Sequence, residues 1–295
     1  MNYPYLIQAI RQRGFTRKCR LPLVWLRHLR VHANDTFLAS YPRSGNTWAR
    51  FLLSEILTND EVGFESAESI IPDLRLRNDI PLILSNGGRL IRTHERYRPV
   101  YKKAIYCVRD PRDVLISNYE FERAGEHGIS LDRFVEWSVR GKVNAWGRWS
   151  KHVSSWLDSP LADNDNLLLI KYEDMHTDAV GELSKMAEFL GLTVDTLRIR
   201  RAVANNSVQH MREKEDQHFG RSPKEGTSYE SGRRVRVGSV GRWQKRLSAA
   251  QVDLIEREAG KLMERLGYLQ QAELSTALHE AVGDGTELIG SDIAS

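Results

Sequence analysis

The sequence has little cysteine, and its apolar runs are short. Only Cys19 and Cys107 are cysteines among 295 residues, and neither belongs to a CxxC pair or to a spacing typical of metal ligands. A chain of this length buries a large core without disulfides, and a reducing, cytoplasmic setting fits the composition best. No stretch approaches the roughly 20 apolar residues of a membrane-spanning helix. The composition therefore argues against a disulfide-rich secreted fold and against an integral membrane protein.

Excess charge of either sign is also small. The formal net charge is +4 at pH 7, which does not indicate a strong binder of polyanions, so no nucleic-acid partner is predicted. The charges are uneven, since residues 1–30 carry seven basic side chains and no acid, whereas residues 271–295 carry five acids and no lysine or arginine. We therefore predict a basic N-terminal segment (1–34), one α/β domain (35–268) and an acidic C-terminal tail (269–295).

The basic N-terminal segment lacks the features of a secretory signal. Its apolar stretch, Leu21–Leu26, is too short and contains Pro22, whereas a signal needs about 7–15 uninterrupted apolar residues. Two interpretations stay open. The pattern favours a helix packed on the domain, and the other interpretation is a peripheral membrane contact through Trp25, Leu26 and the neighbouring arginines.

Four short apolar runs are typical of buried strands, namely Thr36–Ser40, Leu90–His94, Ala104–Val108 and Leu167–Ile170. Helical patterns follow them, beginning near Asn46 and Arg112 and covering 130–140, 145–157 and 178–191. Buried strands that alternate with helices predict a three-layer α/β fold with a mostly parallel central sheet. Ligands of such sheets bind at the carboxyl ends of the strands. The chemically distinctive residues follow the predicted strands at those ends: Arg43, His94, Arg109 and Tyr172.

The turn after the first strand, Tyr41–Trp48, has the features of an anion-binding loop. Gly45 lies in a turn that opens directly into a helix, and this arrangement presents successive backbone N–H groups to a ligand. The GxxxxGK[ST] sequence of a Walker A loop is absent. An ordinary strand-turn-helix with a capping Ser44 or Asn46 is the alternative interpretation of this segment alone.

This turn resembles the 5′-phosphosulfate loop of sulfotransferases that use 3′-phosphoadenosine 5′-phosphosulfate, and several further motifs of that family follow in the same order over residues 35–265. The resemblance implies a P-loop NTPase-like sulfotransferase fold. In the first motif it implies that Ser44, Gly45, Asn46 and Thr47 hold the 5′-phosphate and that Trp48 lies against adenine. Arg43 stands where many members have a lysine that assists the leaving group. Arginine keeps the positive charge but cannot give up a proton.

The second motif, Tyr106–Tyr119, is the most specific. Its Arg109 and Ser117 are eight positions apart, as in the 3′-phosphate pair of the family, and arginine with a hydroxyl suits a terminal phosphate. Arg112 and Asp113 are predicted to be structural ion-pair partners.

Three other segments resemble parts of the same family. His94, at the end of a strand, corresponds to the general base, and Tyr172 corresponds to an adenine contact. In the late segment Val235–Trp243, Arg236 corresponds to a 3′-phosphate ligand and Gly238 offers a backbone N–H. Val237 and Arg242 depart from the usual Lys and Asp of the family. Ser207 and Met211 lie in a weaker match over 206–211. His127, His152 and His210 are interpreted as surface or structural residues.

The resemblance implies a sulfuryl transfer to an acceptor hydroxyl by in-line displacement, with His94 as general base and no metal requirement. The acceptor is a small molecule, a sugar or a lipid, and segments 59–88, 120–145 and 215–235 are predicted to shape its pocket. Two other functions stay open, a P-loop-type kinase and a catalytically inactive nucleotide-binding scaffold. The sequence does not indicate an oligomeric state.

Overall fold

The structure is a computed structural model that describes residues 28–74, 81–122, 124–219, 235 and 238–269. Within these ranges lie four strands: β1 (Thr36–Ser40), β2 (Leu90–Thr93), β3 (Lys103–Val108) and β4 (Leu167–Lys171). They form one sheet in the order β2-β1-β3-β4, and every neighbouring pair is parallel. The predicted parallel sheet is therefore confirmed. The chain leaves β1 for one neighbour and later returns to its other side, so the carboxyl end of β1 is a switch point where α/β sheets bind ligands.

Five of the described helices match the five predicted ones to within a few residues. The described helices are α1 (Asn46–Thr58), α2 (Phe64–Ile70), α3 (Pro111–Phe121), α4 (Leu131–Val139), α5 (Trp149–Leu157), α6 (Pro160–Asp163), α7 (Tyr172–Thr177), α8 (Ala179–Phe189), α9 (Thr196–Asn205), α10 (Val208–Phe219) and α11 (Ala249–Arg265). Helices α6, α7, α9, α10 and α11 were not predicted, and α7 begins at the residue after β4. The Asp178 carboxylate caps α8 by accepting the Gly181 N–H.

The sheet has an apolar core on each face, as the alternation of side chains along a strand requires. Phe37 and Ala39 of β1 belong to a cluster that includes Trp156 of α5, whereas Leu38 belongs to a second cluster that includes Leu52 of α1. All three β1 residues are fully buried. Helices therefore cover both faces, and the three-layer arrangement leaves the strand ends as the place for a site.

Several sequence predictions concern residues outside the described ranges. They include the apolar stretch Leu21–Leu26, the phosphate ligand Arg236, its neighbour Val237 and all but the first residue of the acidic tail. Among the helices that the structure describes, none combines the length and the apolar character needed to cross a membrane.

Candidate active site

A cavity of about 380 Å³ opens at the carboxyl ends of the strands. Most of the residues singled out from the sequence line it: Arg43, Gly45, Asn46, Thr47, Trp48, His94, Arg109, Ser117, Tyr172 and Gly238. They come from the β1–α1 turn, the ends of β2 and β3, the helices α3 and α7, and the late glycine segment. Residues that are almost 200 positions apart in the chain thus share one cavity, as the strand-end argument predicts.

The turn between β1 and α1 has a constrained backbone. Arg43 has φ 71°, a left-handed conformation that is uncommon for residues other than glycine, and Gly45 has φ 91° at the N-cap of α1. No side chain caps the first turn of α1, so the interpretation with a capping Ser44 or Asn46 is wrong. The backbone N–H groups of this turn and the Ser44 hydroxyl, which is buried without a hydrogen-bond partner in the described part of the chain, are available to an anion.

Asn46 has a different task from its neighbours in the loop. Its Nδ2 donates to the Leu38 carbonyl over 3.1 Å, and its Oδ1 accepts from Arg92 Nε over 2.8 Å. The side chain therefore ties the start of α1 to β1 and to the arginine of β2. The side-chain amide of Asn46 is used inside the protein, and its assignment to the 5′-phosphate stays a prediction.

Arg43 and Ser117 are in direct contact. The Nε of Arg43 donates to Ser117 Oγ over 3.1 Å, and its guanidinium lies 4.5 Å from the ring centroid of Phe121. Both contacts come from α3, at positions one turn apart. The charge that follows β1 is therefore held by the helix that follows β3.

Arg109 connects three parts of the site. It donates to the Arg43 carbonyl over 3.4 Å and to the Ser239 carbonyl over 3.0 Å, and its guanidinium lies 4.2 Å from the centroid of the Tyr172 ring. Its Nε is buried and has no hydrogen-bond partner within the described ranges. An unsatisfied buried donor of a cation is costly, and an anion in the cavity would satisfy it.

The ion pairs predicted for Arg112 and Asp113 are confirmed. Arg112 Nη2 lies 2.7 Å from Asp110 Oδ2, and Asp113 Oδ2 lies 3.4 Å from Arg109 Nη2. Asp113 accepts the backbone N–H groups of Gly241 and Trp243 over 2.8 and 3.0 Å, so it anchors the late glycine segment to α3. Arg242, which stands in that segment, pairs with Glu120 over 2.7 Å.

Aromatic rings from α1 and α7 form one wall of the cavity. Trp48 meets Tyr172 edge-on at 6.2 Å between centroids, and His176 packs against both, at 5.0 Å and 4.6 Å. Burial, reinforced by the charge of Arg109, lowers the pKa of His176. Such a group of rings suits a flat heterocyclic base. Sequence reasoning found Trp48 and Tyr172 but missed His176, because it is one turn along a helix that was not predicted.

His94 is held at both ring nitrogens. Nδ1 lies 2.8 Å from the Ser40 carbonyl, and Nε2 lies 2.7 Å from Arg92 Nη2. Arginine only donates, so Nε2 accepts and the proton is on Nδ1, which donates to the carbonyl. The ring is therefore neutral, with a lone pair on the nitrogen that faces Arg92. Arg92 was not among the predicted site residues.

A second histidine supports the first. His152 is fully buried, so the structural interpretation applies to it, whereas His127 and His210 are exposed. Tyr106 Oη lies 2.8 Å from His152 Nδ1, and His152 Nε2 lies 3.0 Å from the His94 carbonyl. A carbonyl only accepts, so the proton is on Nε2 and Nδ1 accepts from tyrosine. Burial lowers the pKa of His152 to about 4.

The segment at 206–211 enters the cavity through residues other than Ser207. The Ser207 hydroxyl lies 3.2 Å from His210 Nδ1, whereas Asn206, Val208 and Met211 line the cavity. Gly238, with φ 63°, lies so close to Val208 that an added Cβ would be 2.6 Å from Val208 Cγ2. Among the described residues no group of three or more His, Cys, Asp or Glu side chains is arranged to hold a metal ion.

An anion loop at the switch point of a parallel sheet, together with arginines and an aromatic wall, defines a nucleotide-binding α/β protein. The model of the sulfotransferase domain family matches residues 33–267. The chain therefore belongs to the sulfotransferase family, and the predicted class of enzyme, a sulfotransferase, is confirmed.

Individual relatives agree with this assignment. Sulfotransferase 2A1 of Rattus norvegicus is 30% identical over 242 residues, which are 77% of this chain and 84% of the relative. The 3-alpha-hydroxysteroid sulfotransferase of Cavia porcellus is 27% identical over 247 residues, 77% of this chain and 83% of that one.

Among solved structures, mouse sulfotransferase SULT7A1 complexed with PAP has a TM-score of 0.56 at 23% identity and covers 84% of this chain and 89% of its own. Retinol dehydratase in a complex with retinol and PAP has a TM-score of 0.63 at 18% identity, with 82% and 86% covered. These two likenesses show the fold.

Proposed function

We propose that this sulfotransferase moves a sulfuryl group from 3′-phosphoadenosine 5′-phosphosulfate to the hydroxyl of a small-molecule acceptor. The observation that carries the proposal is the convergence of Arg43, Arg109, Ser117 and His94 on one cavity. Two solved structures of the same fold contain PAP, the product of this donor. The names of relatives include hydroxysteroid and retinol, which favours a small alcohol as acceptor. We place the reaction in the cytoplasm on the composition alone.

The described residues fit the donor in charge and in shape. Free donors of the β1–α1 turn, the Ser44 hydroxyl among them, would hold the 5′-phosphosulfate. Arg109, with its unsatisfied Nε, and Ser117 would hold the 3′-phosphate. Trp48 and Tyr172 would enclose the adenine ring. The sequence assigned Arg236 and Gly238 to the same phosphate, and Gly238 lines the cavity.

His94 is the proposed general base. The acceptor oxygen attacks sulfur as its proton moves to His94 Nε2, whose lone pair is available because Nδ1 carries the ring proton. Arg92 donates to the same nitrogen, so the acceptor hydroxyl has to replace that hydrogen bond when it binds. The new O–S bond forms in line with the bond that breaks, and the electron pair of the broken bond goes to the 5′-phosphate oxygen.

Arg43 is the proposed stabiliser of the leaving group. Negative charge grows on the bridging oxygen, and a fixed cation beside it lowers the barrier without transferring a proton. The contact of Arg43 with Ser117 supports this role, because a guanidinium at this position would lie between the two ends of a bound donor. The departing 3′,5′-adenosine bisphosphate therefore leaves with its charge compensated.

The test is a transfer assay together with a binding assay. With donor labelled in sulfur, purified protein is offered alcohols of several classes, and label is expected in an acceptor. In parallel, 3′,5′-adenosine bisphosphate is expected to raise the melting temperature more than ATP with magnesium does. Arg109→Ala should lose most of this protection, whereas Arg140→Ala, at an exposed position outside the cavity, should keep it.

The other outcomes identify the rival functions. Protection by ATP with magnesium, and not by the bisphosphate, would point to a P-loop-type kinase. Protection by the bisphosphate without transfer to any acceptor would point to an inactive scaffold.

A further inference from the structure

The part of the cavity around His94 and Arg43 is unusually polar for a pocket that takes an apolar alcohol. We call it the acceptor half and define it by six lining residues: Asp73, Arg92, Phe121, Glu122, Asn144 and Trp146. Four of these side chains are charged or amides, and only two are aromatic. Small-molecule pockets are mostly apolar with few polar groups. The polar lining of the acceptor half therefore favours an acceptor that has polar groups of its own.

Contacts place four of these residues, Asp73, Arg92, Asn144 and Trp146, around the proposed base. Arg92 donates to His94 and lies 3.5 Å from Asp73. The Trp146 ring lies edge-on to the His94 ring at 5.6 Å, and Asn144 accepts the Trp146 N–H over 3.0 Å. A steroid skeleton in this position would cover the partly exposed side chains of Arg92 and Asn144 without replacing their solvation, which is costly.

Glu122 stands out among these residues. Its carboxylate lines the cavity and has no hydrogen bond or ion pair in the described part of the chain. It directly follows Phe121, whose ring lies under the Arg43 guanidinium. Burial raises the pKa of Glu122, and the charge of Arg43 acts in the opposite direction. A carboxylate beside a site for a multiply charged anion opposes donor binding, unless a cation in the assembled complex offsets it.

We propose that the acceptor is an amino alcohol, whose ammonium group is bound by Glu122 while its hydroxyl faces His94. An ammonium group has three donors and a full charge. The rings of Phe121 and Trp146 suit the alkyl chain of the acceptor, and the face of an aromatic ring attracts a cation. Donor and acceptor then carry opposite charges, which favours their joint binding in one cavity. This inference rests on the proposed function, because it names the second substrate of the same site.

The experiment compares matched acceptors that differ in charge. The probes are ω-amino alcohols with three to six carbons, each paired with the uncharged primary alcohol of the same length, at about pH 8, where carboxylates are ionised and alkylamines are protonated. The readout is kcat/KM from the release of 3′,5′-adenosine bisphosphate. For at least one chain length we expect the amino alcohol to exceed its neutral partner at least tenfold.

Two variants test whether the Glu122 carboxylate causes the preference for the amino alcohol. Glu122→Gln keeps the size of the side chain and should reduce the ratio of kcat/KM for the amino alcohol to kcat/KM for the neutral alcohol to about unity. Glu126→Gln removes an exposed carboxylate four positions further along and should keep the preference. Protection from heat by the bisphosphate checks that both variants are folded.

Three results would overturn the inference: equal kcat/KM for amino and neutral alcohols, turnover of neutral alcohols alone, or a charge preference that survives Glu122→Gln. Binding of the bisphosphate with no turnover of any amino alcohol also counts against it. Failure of the bisphosphate itself to bind is a different result, because it removes the donor and with it the proposed function.

Discussion

The Nε of Arg43 donates a hydrogen bond to Ser117 Oγ over 3.1 Å. One residue follows the first strand and the other lies on the helix that follows the third, so the contact connects the two phosphate positions of the proposed donor. Arg43 adopts φ 71° to make this approach. A left-handed conformation at a residue other than glycine costs about 1 kcal/mol or more, and the contacts with Ser117 and Phe121 hold the side chain there.

Replacing Arg43 tests its role as a cation beside the leaving group. Arg43→Ala is expected to lower kcat by about 10²- to 10³-fold, the typical loss when one stabilising donor is removed. The Kd for the bisphosphate should change by less than about tenfold, because Arg109 remains. Arg43→Lys should recover part of kcat, since the charge is restored. A kcat of wild-type size in Arg43→Ala would remove this residue from the mechanism.

Gly45 tests the geometry of the anion loop. An added Cβ would lie 2.8 Å from Tyr172 Cδ2, and φ is 91°. Gly45→Ala should therefore raise the donor KM at least tenfold and lower the melting temperature, because both the loop and the adenine wall have to shift.

The control for that change is Gly260→Ala, in the interior of α11. The nearest atom to an added Cβ there is 4.0 Å away, and alanine favours a helix over glycine by about 0.5–1 kcal/mol. This variant should be as stable as the wild type or more stable. Equal donor KM values in the two variants would contradict the proposed loop.

His94→Ala tests the general base. It should reduce kcat by about 10²- to 10⁴-fold, the range typical of general-base catalysis, while the bisphosphate binds almost as before. His127→Ala, at an exposed position outside the cavity, serves as the matched control and should keep full activity. Steady-state kinetics and calorimetric titration give the two quantities. Equal activity of His94→Ala and His127→Ala would refute the assignment.

His152 predicts a pH dependence of stability. Its pKa falls from the ordinary 6.5 to about 4 in the folded protein, so the unfolded chain binds the proton more readily. The stability that His152 contributes is therefore present above about pH 6.5 and is lost as the pH falls toward 4. By linkage the loss is about 2 kcal/mol between pH 7 and pH 5.

Urea unfolding of the wild type and of His152→Gln at these two pH values measures this contribution. The variant should be less stable at pH 7, since the Tyr106 and His94 contacts are weakened, and its stability should fall less toward pH 5. An identical pH dependence in the two proteins would show that His152 is not the titrating group.

Much of the fold could be predicted because its signals are local. Each strand is a short apolar run, and the turns after them contain glycine, proline or arginine within a few positions. Helix α7 was missed because it begins at the residue after β4, so no turn separates the two elements. Asn46 was assigned to the anion because its position in the loop is local information, whereas its bonds to Leu38 and Arg92 depend on how β1 and β2 pair.

The sequence by itself determined the parallel sheet and the family, and it predicted the anion loop, because residues adjacent in the chain carry those signals. The packing of distant elements decided the rest. Only in the folded chain does His152 contact the carbonyl of His94, which lies 58 positions earlier. Folding also brings Arg92 Nη2 to His94 Nε2 and makes Glu122 a lining residue of the cavity. Hydrogen bonds and charge interactions act over a few ångströms in space, and distance along the chain does not reveal them.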